Sequence, residues 1–363
     1  MKKKKLGKTD IFVTPVGMGT LTMGFSQKNL SVEDGAALIV YAVRRGINFL
    51  DTAQYYDTYR YIRPALDIIK QDMETARTKG SDSSLPAHNE PAQSSSAPAL
   101  PVICSKTLAP DYNGAHEAVL ECLRELDLPR IDIFLLHEIR GMADFNARKG
   151  AWRALRELRE AGKIRAIGIS THHVDACRGM ASEKDCDVVF TLINRAGLGI
   201  RDSGITSEEE NARMPLSLKN NCPGTREAME DAILDCDRAG VGVFTMKAFG
   251  GGNLIRDYIS CLDYASSVKG NTSVMIGMAD KTQVDAAVRY FSGKLDPGFI
   301  PSTKGKRLMV DQSDCEGCGT CIRRCVSRAI HRNENGLAEI DQARCIHCGY
   351  CAPVCPVRAI IFA

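Results

Sequence analysis

The chain has no hydrophobic run long enough to span a bilayer, and its first residues lack the apolar stretch of a signal peptide. Its formal net charge is only +3, with 47 Lys and Arg residues against 44 Asp and Glu residues. The chain therefore has no large excess of positive or negative charge that would attract it to nucleic acid or to a membrane surface. From these absences we expect a cytoplasmic protein that has neither nucleic acid nor a membrane as a partner.

Two cofactor fingerprints are also missing. No G-x-G-x-x-G follows the first predicted strand, which removes the main sequence support for a doubly wound dinucleotide-binding domain. The sequence has no flavin-binding fingerprint either. Tryptophan is limited to Trp152, which stands in a helical pattern and is expected to pack in the core.

Cysteine, in contrast, is abundant, and its 15 copies fall into two groups. Those before residue 300 are scattered and odd in number, which is not a disulfide framework and is typical of a reducing cytosol. The others form two copies of C-x-x-C-x-x-C-x-x-x-C near the C-terminus. The first copy is Cys315, Cys318, Cys321 and Cys325, and the second is Cys345, Cys348, Cys351 and Cys355.

This doubled motif is typical of a bacterial-type ferredoxin with two [4Fe-4S] clusters. The fourth cysteine of each copy leads to the other cluster, so ligation is predicted to cross: Cys355 joins the first three cysteines of the first copy, and Cys325 joins those of the second. Structural zinc sites instead pair two C-x-x-C knuckles across a longer spacer, so the spacing favours iron–sulfur over zinc. We predict a small α+β ferredoxin-like domain over residues 305–363.

Residues 1–300 alternate short β-branched runs with longer amphipathic ones, about eight times, which is typical of a closed (β/α)₈ TIM barrel. Two segments interrupt the repeat. Residues 79–100, which include His88, are rich in Ser, Pro and Ala and are predicted to form a disordered loop at the bottom of the barrel. Residues 195–223 follow a strand, so they should lie at the top, as a lid, as a substrate wall or as a plain polar loop.

Predicted strands end with ionisable residues where barrel active sites lie, at the C-terminal ends of the strands. Asp51, Lys106 and His137 end three consecutive strands, and Tyr56 stands in the loop after the first of these. Each residue alone has an ordinary structural explanation. Four such groups at the same end of neighbouring strands favour a catalytic site. Two histidines after the fifth strand, His172 and His173, are expected to face solvent.

These residues stand in motifs that resemble the aldo-keto reductase family. The motifs are G-x-G-T at Gly17–Thr20, N-F-L-D-T-A-x-x-Y at Asn48–Tyr56, the lysine of V-I-C-S-K, the histidine of D-x-F-L-L-H and I-G-I-S at Ile167–Ser170. The resemblance implies that Tyr56 is the general acid/base at a carbonyl or alcohol centre, with its pKa lowered by Lys106. It further implies that Asp51 orients Lys106 and that His137 orients the substrate oxygen.

The resemblance also implies NAD(P) as a cofactor, with Ser170 at the nicotinamide amide. Further candidate cofactor contacts are Asn194, Lys247 and Lys281. Two expected contacts are replaced, because Phe190 stands for a glutamine and Met246 for a stacking aromatic residue.

Three functions follow from joining the two halves. In the first, the barrel acts on a small-molecule carbonyl or alcohol while the clusters exchange electrons with a redox protein partner, with a flavin as a mediator between hydride and one-electron chemistry. In the second, the chain is an NAD(P)-dependent carbonyl reductase whose clusters are structural or serve docking. In the third, it is an electron carrier on a barrel that has lost hydride transfer.

Overall fold

The structure is a computed structural model that describes residues 1–25, 27–80, 99–202, 222–302, 307–345, 351–352, 354–357 and 359–362. Eight parallel strands close into a barrel in the order β3-β4-β5-β6-β7-β8-β11-β12, and β12 pairs again with β3. The TIM-barrel prediction is therefore confirmed. The strands of this part of the chain are β1 Lys4–Lys5, β2 Phe12–Val13, β3 Val16–Gly19, β4 Phe49–Asp51, β5 Val102–Thr107, β6 Ile131–Leu136, β7 Ile164–Thr171, β8 Val188–Leu192, β9 Arg201–Asp202, β10 Cys222–Pro223, β11 Gly242–Met246 and β12 Asn271–Gly277.

Helices cover the outside of the barrel, and several begin at a side chain that caps them. Ser31, Asp111, Thr225 and Asp280 each accept a hydrogen bond from a backbone N–H of the first helical turn, which satisfies a donor that the helix itself leaves free. The described helices around the barrel are α1 Val32–Arg44, α2 Tyr59–Gly80, α3 Tyr112–Leu126, α4 Met142–Ala147, α5 Lys149–Glu160, α6 Val174–Gly179, α7 Arg226–Arg238, α8 Tyr258–Ser267 and α9 Lys281–Phe291. None of them is long and apolar enough to cross a membrane.

The barrel has an inner and an outer core. The inner core includes Phe49, Phe190 and Phe244, and the β1–β2 hairpin adds Leu6 and Val13 to it. The larger outer core lies between the strands and the helices, where Trp152 packs as expected against Phe145. Because side chains fill the interior of the barrel, an active site is expected at its mouth, at the C-terminal ends of the strands.

The two interruptions of the repeat are described only in part. Helix α2 continues to Gly80, and the predicted disordered loop, with His88, otherwise lies outside the described residues over 81–98. In the second segment, β9 and β10 pair as an antiparallel ribbon, and residues 203–221 lie outside the described range. The ribbon is attached to the top of the barrel, because the Arg201 N–H donates to the His172 carbonyl after β7.

The C-terminal part is a small α+β unit with its own core. Strand β13 pairs with β16 and strand β14 pairs with β15, both antiparallel, and a short helix lies between them. Its core combines aliphatic side chains with cysteines such as Cys321, Cys351 and Cys355. The elements are β13 Leu308–Val310, α10 Thr320–Arg324, β14 Ile330–Arg332, β15 Ala338–Ile340 and β16 Ile360–Phe362.

This unit sits on the mouth of the barrel. Its last strand meets the loop after β11, where the Phe362 N–H donates to the Gly251 carbonyl and the Asn253 amide donates to the Ile360 carbonyl. Gly252 has a φ of +87°, and a Cβ there would collide with the carbonyl oxygen of Phe362. The glycine is needed both for its left-handed backbone and for this close approach.

Candidate active site

The structure brings the four predicted catalytic residues together at the C-terminal ends of three adjacent strands. Asp51 is the last residue of β4, Lys106 the next to last of β5, and His137 the first after β6. Tyr56 ends a single 3₁₀ turn that follows β4. Because neighbouring parallel strands end at the same rim, four residues that are distant in the sequence share one site.

Lys106 and Asp51 form a buried ion pair beneath the phenol. The Lys106 Nζ donates to Asp51 Oδ1 and to the Thr52 carbonyl, both at 2.6 Å, and only 1% of the lysine residue is exposed. Burial raises the pKa of Asp51, and the positive charge of Lys106 opposes this rise. The same ammonium lies 4.8 Å from the centroid of the Tyr56 ring, so a fixed cation stands below the residue expected to lose a proton.

The Tyr56 Oη lies 3.3 Å from His137 Nε2. Burial, followed by the charge of Lys106, holds the pKa of His137 well below its ordinary value, so the ring is neutral and carries one proton. Its Nδ1 is buried without a hydrogen-bond partner among the described residues. A proton on Nδ1 would be a buried N–H without an acceptor, which is less stable than an N–H on Nε2 that is hydrogen-bonded to Tyr56. We therefore assign the proton to Nε2. His137 then donates to Tyr56 Oη, and the phenol keeps its own proton for a substrate.

The expectation that Lys106 brings the pKa of Tyr56 below its ordinary value is wrong for this structure. The pKa of Tyr56 lies well above its ordinary value of 10.0, first because partial burial removes water from the phenol and then because of nearby carboxylates. These carboxylates are Asp51, Glu138, Asp314 and Asp311. The physical reason is that Asp51 neutralises much of the lysine's charge while the C-terminal unit adds further negative charge at the mouth. The phenol is therefore held in its protonated form.

Sequence reasoning missed the residues that fix this geometry. The guanidinium of Arg148, at the start of α5, is buried and donates to the carbonyls of His137, Thr107 and Ala109, which joins the ends of β5 and β6. Thr58 accepts or donates short hydrogen bonds to Thr20 and Thr52, which holds the loop that carries Tyr56. Arg148 and Thr58 belong to no motif with a fixed spacing, so no sequence signal indicated their role.

Among the predicted cofactor contacts, Ser170 is placed to donate, because no described residue accepts its hydroxyl hydrogen. It is buried in β7, and its Oγ accepts a hydrogen bond from the Glu138 N–H. The hydroxyl therefore keeps its proton available as a donor. Phe190, at the expected glutamine position, faces the barrel interior, where its ring stacks on Phe244 at a centroid distance of 4.4 Å.

The other three predicted contacts are engaged elsewhere in the chain or stand apart. The Asn194 amide both donates to and accepts from the backbone of Leu198, so it closes a loop after β8. Lys247 pairs with Asp314 at 3.2 Å. Lys281 begins α9, where its ammonium lies 5.4 Å from the ring centroid of Tyr41.

The expectation that His172 and His173 both face solvent is wrong for His173, which is buried, and His172 is only partly exposed. His173 is 3% exposed and His172 is partly buried, and burial lowers the pKa of both rings. His172 is close enough to His137 for its charge to lower the pKa of that ring. Both histidines belong to the rim of the mouth, because β7 continues to Thr171.

The described thiols of the C-terminal unit lie close enough together to influence one another's pKa values. Burial, followed by the thiolates of Cys355, Cys318 and Cys315, raises the pKa of Cys321 to about 11. Burial also raises the pKa of Cys351 to about 11, with contributions from Cys321, Cys345 and Cys325. Cys351 is thus influenced by one thiol of the first predicted set and by two of the second, while Cys348 lies outside the described residues. Such mutually repelling thiols in one small core fit the donor set that an iron–sulfur cluster neutralises.

Backbone amides support the same thiols. The Ala338 N–H donates to Cys315 Sγ and the Ala329 N–H donates to Cys325 Sγ, at 3.4 and 3.2 Å. Hydrogen bonds to cluster sulfurs are one way in which a protein sets a reduction potential. No three His, Cys, Asp or Glu side chains in the described part of the chain are compact enough to hold a single metal ion, so the cluster assignment depends on the grouping of the thiols.

The aldo/keto reductase family model matches residues 15–196, about half of the sequence. The chain belongs to the aldo/keto reductase family. A 4Fe-4S binding domain model matches residues 338–361, within the C-terminal unit. The family match covers the four predicted catalytic residues and Ser170, and the second match covers the second cysteine motif.

Relatives agree with this assignment. Pyridoxal 4-dehydrogenase of Microbacterium luteolum is 28% identical over 206 residues, which are 51% of this chain and 60% of that protein. The aligned part thus spans less than two thirds of that relative. A putative aldo-keto reductase from Pseudomonas aeruginosa superposes with a TM-score of 0.55 at 19% identity, covering 81% of this chain and 95% of that one. A Bombyx mori aldo-keto reductase in complex with NADP superposes with a TM-score of 0.52 at 14% identity, covering 83% and 89%. At these identities the two structures share the fold alone.

Proposed function

We propose that this chain is an iron–sulfur oxidoreductase that acts on a carbonyl/alcohol centre, with Tyr56 as general acid/base and two [4Fe-4S] clusters as electron carriers. One observation carries the proposal. The Tyr56–His137 pair, 3.3 Å apart, faces Asp314, the residue before the cluster cysteine Cys315, closely enough for that carboxylate to raise the pKa of the phenol. The proton donor and a cluster loop therefore meet at one mouth.

The barrel residues have complementary roles in this chemistry. Reducing a carbonyl to an alcohol takes two electrons and two protons, one of which reaches the oxygen. Tyr56 supplies that proton, and the Nε2–H of His137 donates to the oxygen as negative charge develops there. Lys106 stabilises the phenolate that remains, since its ammonium is held below the ring by Asp51.

The C-terminal cysteines would hold two clusters, which pass one electron at a time. We assign Cys315, Cys318, Cys321 and Cys355 to one cluster, and Cys325, Cys345, Cys348 and Cys351 to the other. A redox protein partner would exchange electrons with them, and a flavin is the group that would convert one-electron steps into a two-electron step. No disulfide joins the described cysteines, which favours the reducing cytoplasm as the location.

An NAD(P)-dependent carbonyl reductase is the second candidate, and Ser170 is the observation that favours it. Its hydroxyl retains a proton for a nicotinamide amide, and the Bombyx mori relative binds NADP. Phe190 and Met246 oppose it, and Lys247 and Asn194 would have to give up their present partners. A barrel without hydride transfer, carrying clusters for electron transfer alone, is the third candidate.

Anaerobic purification separates the three. We would count iron and acid-labile sulfide, record the visible spectrum, and then add NADPH or NADH. Flavin absorbance, or bleaching of the clusters on addition of a reductant together with carbonyl turnover, supports the first candidate. Turnover that continues after the clusters are removed supports the second. Clusters that reduce in a protein that binds neither nicotinamide nor flavin and turns over no carbonyl support the third.

A further inference from the structure

The charges of the C-terminal unit are unevenly distributed along its sequence. Between Glu316 and Glu334 the chain has four arginines and no aspartate or glutamate. These arginines are Arg323, Arg324, Arg328 and Arg332, and all four are exposed. They lie in one stretch, residues 323–332, which runs from the end of α10 through a turn into β14. We call this stretch the basic segment.

The acidic residue before the first cysteine motif lies toward the barrel instead. Asp314 contacts Lys247, the first residue after β11, at 3.2 Å. In the described part of the chain, none of Arg323, Arg328 and Arg332 forms an ion pair or a side-chain hydrogen bond with a barrel residue. The basic segment therefore takes no described part in docking the unit onto the barrel.

Two of the arginines converge on the loop of the first cysteine motif. A Cβ added at Gly319 would lie 3.1 Å from Arg332 Nη2 and 3.6 Å from Arg323 Nη1. Arg323 also donates to the Cys318 carbonyl, and Arg332 donates to the Gly336 carbonyl at 2.6 Å. Among the described residues no carboxylate pairs with either guanidinium. Two like charges thus repel each other at an exposed place, and an anionic partner would relieve this repulsion.

The turn in the basic segment exposes an apolar side chain next to a predicted cluster ligand. Val326 is 63% exposed and directly follows Cys325. The Arg328 N–H closes the turn by donating to the Cys325 carbonyl at 3.2 Å, and the Ala329 N–H donates to Cys325 Sγ. Arginines beside an exposed valine are typical of a protein contact that has an apolar centre and a polar rim.

The partner of such a surface has to be anionic and has to exchange single electrons. Guanidinium groups pair with carboxylates or phosphates. Phosphate or another small anion would account for the arginines but not for the exposed Val326 or for the neighbouring Cys325. A protein with carboxylates around a one-electron redox group accounts for all three. A ten-residue segment also fits within the roughly 800 Å² that each partner contributes to a typical protein–protein interface.

We infer that the basic segment, residues 323–332, is the docking surface of an acidic electron-carrier protein, with Val326 in the contact beside Cys325. The inference rests on the proposed role of the clusters as electron carriers. At each encounter the carrier is oxidised by one electron and this chain is reduced by one, and no covalent bond forms or breaks. Two encounters supply the two electrons that reduction of one carbonyl takes.

The test compares Arg328→Glu with Arg130→Glu, the same change at an exposed position before β6, at the opposite end of the barrel. The probe is reduced flavodoxin, a small acidic flavoprotein that gives up single electrons, and stopped-flow absorbance follows its oxidation by the holoprotein. Arg328→Glu should lower the second-order rate constant about tenfold or more at low ionic strength, because charges near a contact steer the encounter. The difference should shrink as sodium chloride is added. Arg130→Glu should leave the rate constant within about twofold of the wild type.

Reduced methyl viologen, a small cation that needs no docking surface, checks that Arg328→Glu keeps working clusters. It should reduce this variant no more slowly than the wild type, and the iron and acid-labile sulfide contents should be unchanged. If flavodoxin is slowed equally by Arg328→Glu and Arg130→Glu, net charge alone sets the rate and the docking surface is refuted. Equal flavodoxin rates in Arg328→Glu and the wild type refute it as well.

Val326→Ser probes the apolar part of the contact. It should weaken binding of oxidised flavodoxin roughly threefold or more, measured by isothermal titration calorimetry, at low and at high salt alike, because burial of apolar surface is not screened. Val32→Ser, at a valine that begins α1 and is 37% exposed, should leave the affinity unchanged. Sodium phosphate should weaken binding as much as sodium chloride of equal ionic strength. A stronger effect of phosphate would identify a small-anion site and overturn the inference.

Calorimetry does not depend on turnover, so the docking surface and the proposed function can fail separately. If Tyr56→Phe retains full carbonyl turnover, the proposed function fails, whereas loss of flavodoxin binding in Arg328→Glu would still support the docking surface. If Tyr56→Phe is inactive but flavodoxin neither binds nor reduces the wild type, only the docking surface is overturned.

Discussion

Lys247, the first residue after β11, lies 3.2 Å from Asp314, the residue before Cys315, and the two side chains join the barrel to the ferredoxin-like unit. Lys247 has a φ of +58°, a conformation that non-glycine residues rarely adopt. Although burial opposes it, the carboxylates of Asp314, Asp311 and Glu138 raise the pKa of Lys247 on balance. Lys247 therefore stays charged, and its contact with Asp314 holds the loop before Cys315 near the Tyr56 phenol.

Lys247→Met should destabilise the docked protein, because it leaves Asp314, whose side chain is only 12% exposed, without its cation. We expect a loss of about 1–3 kcal/mol in the apparent free energy of unfolding, measured by urea denaturation under anaerobic conditions. Arg44→Met removes the exposed Arg44–Asp72 pair and should cost less than about 1 kcal/mol. Equal costs for the two variants would mean that the interdomain pair contributes no more than a surface pair.

Tyr56→Phe should lower carbonyl turnover by about 100-fold or more, since it removes the proton donor and leaves the ring in place. The iron and sulfide content should not change, because the phenol is not a ligand. Tyr55→Phe is the matched control: Tyr55 is the preceding residue and is 49% exposed. Loss of activity in both variants would point to damage to the loop rather than to the loss of a catalytic group.

The sequence predicts the barrel well because each strand is a nearly continuous apolar run that is covered on both faces. The strand β6, Ile131–Leu136, is an example, and its predicted end places His137 at the mouth. The hairpin at Lys4–Lys5 and Phe12–Val13 could not be predicted in this way, since its strands are two residues long and one consists of lysines. Two-residue strands carry no periodicity.

The electrostatics of the site depend on residues that no local pattern connects. Asp314 and Asp311 raise the pKa of Tyr56 from a unit that begins 250 residues later in the chain. The sequence predicts that His172 and His173 face solvent, because it places them after the end of β7 but does not show which other part of the chain packs over them. Docking between two units depends on surface complementarity, which the hydrophobic period of either unit does not encode.

Glu138 should make stability depend on pH. Burial, followed by the charge of Asp314, raises the pKa of Glu138 from 4.5 to about 7. The folded protein therefore binds this proton more tightly than the unfolded chain does, and stability falls as the pH rises from about 4.5 to about 7. We expect this group to account for a loss on the order of 1–3 kcal/mol across that range.

Urea unfolding of the holoprotein at several pH values measures this slope. Glu138→Gln should flatten it, because the amide cannot titrate. Glu125→Gln, at an exposed position on α3, should leave the slope as in the wild type. A slope that is the same in Glu138→Gln and the wild type would show that other groups set the pH dependence.

Crossed ligation makes a pairing prediction for cysteine variants. Cys315→Ser and Cys355→Ser, 40 residues apart in the sequence, should damage the same cluster, because their thiols converge on Cys321. Cys325→Ser and Cys345→Ser should damage the other. Each single variant should lower the iron count from about eight per chain toward about four, measured with acid-labile sulfide after anaerobic purification.

The electron paramagnetic resonance spectrum of the reduced protein distinguishes the two pairs of cysteine variants. Spectra of Cys315→Ser and Cys355→Ser should match each other and differ from those of Cys325→Ser and Cys345→Ser. Cys222→Ser, in the ribbon strand β10 outside the C-terminal unit, should keep the full iron content. If Cys355→Ser instead matches Cys345→Ser, each motif binds its own cluster. Zinc without sulfide in the wild type would remove electron transfer from the proposal and leave the Tyr56 chemistry to stand alone.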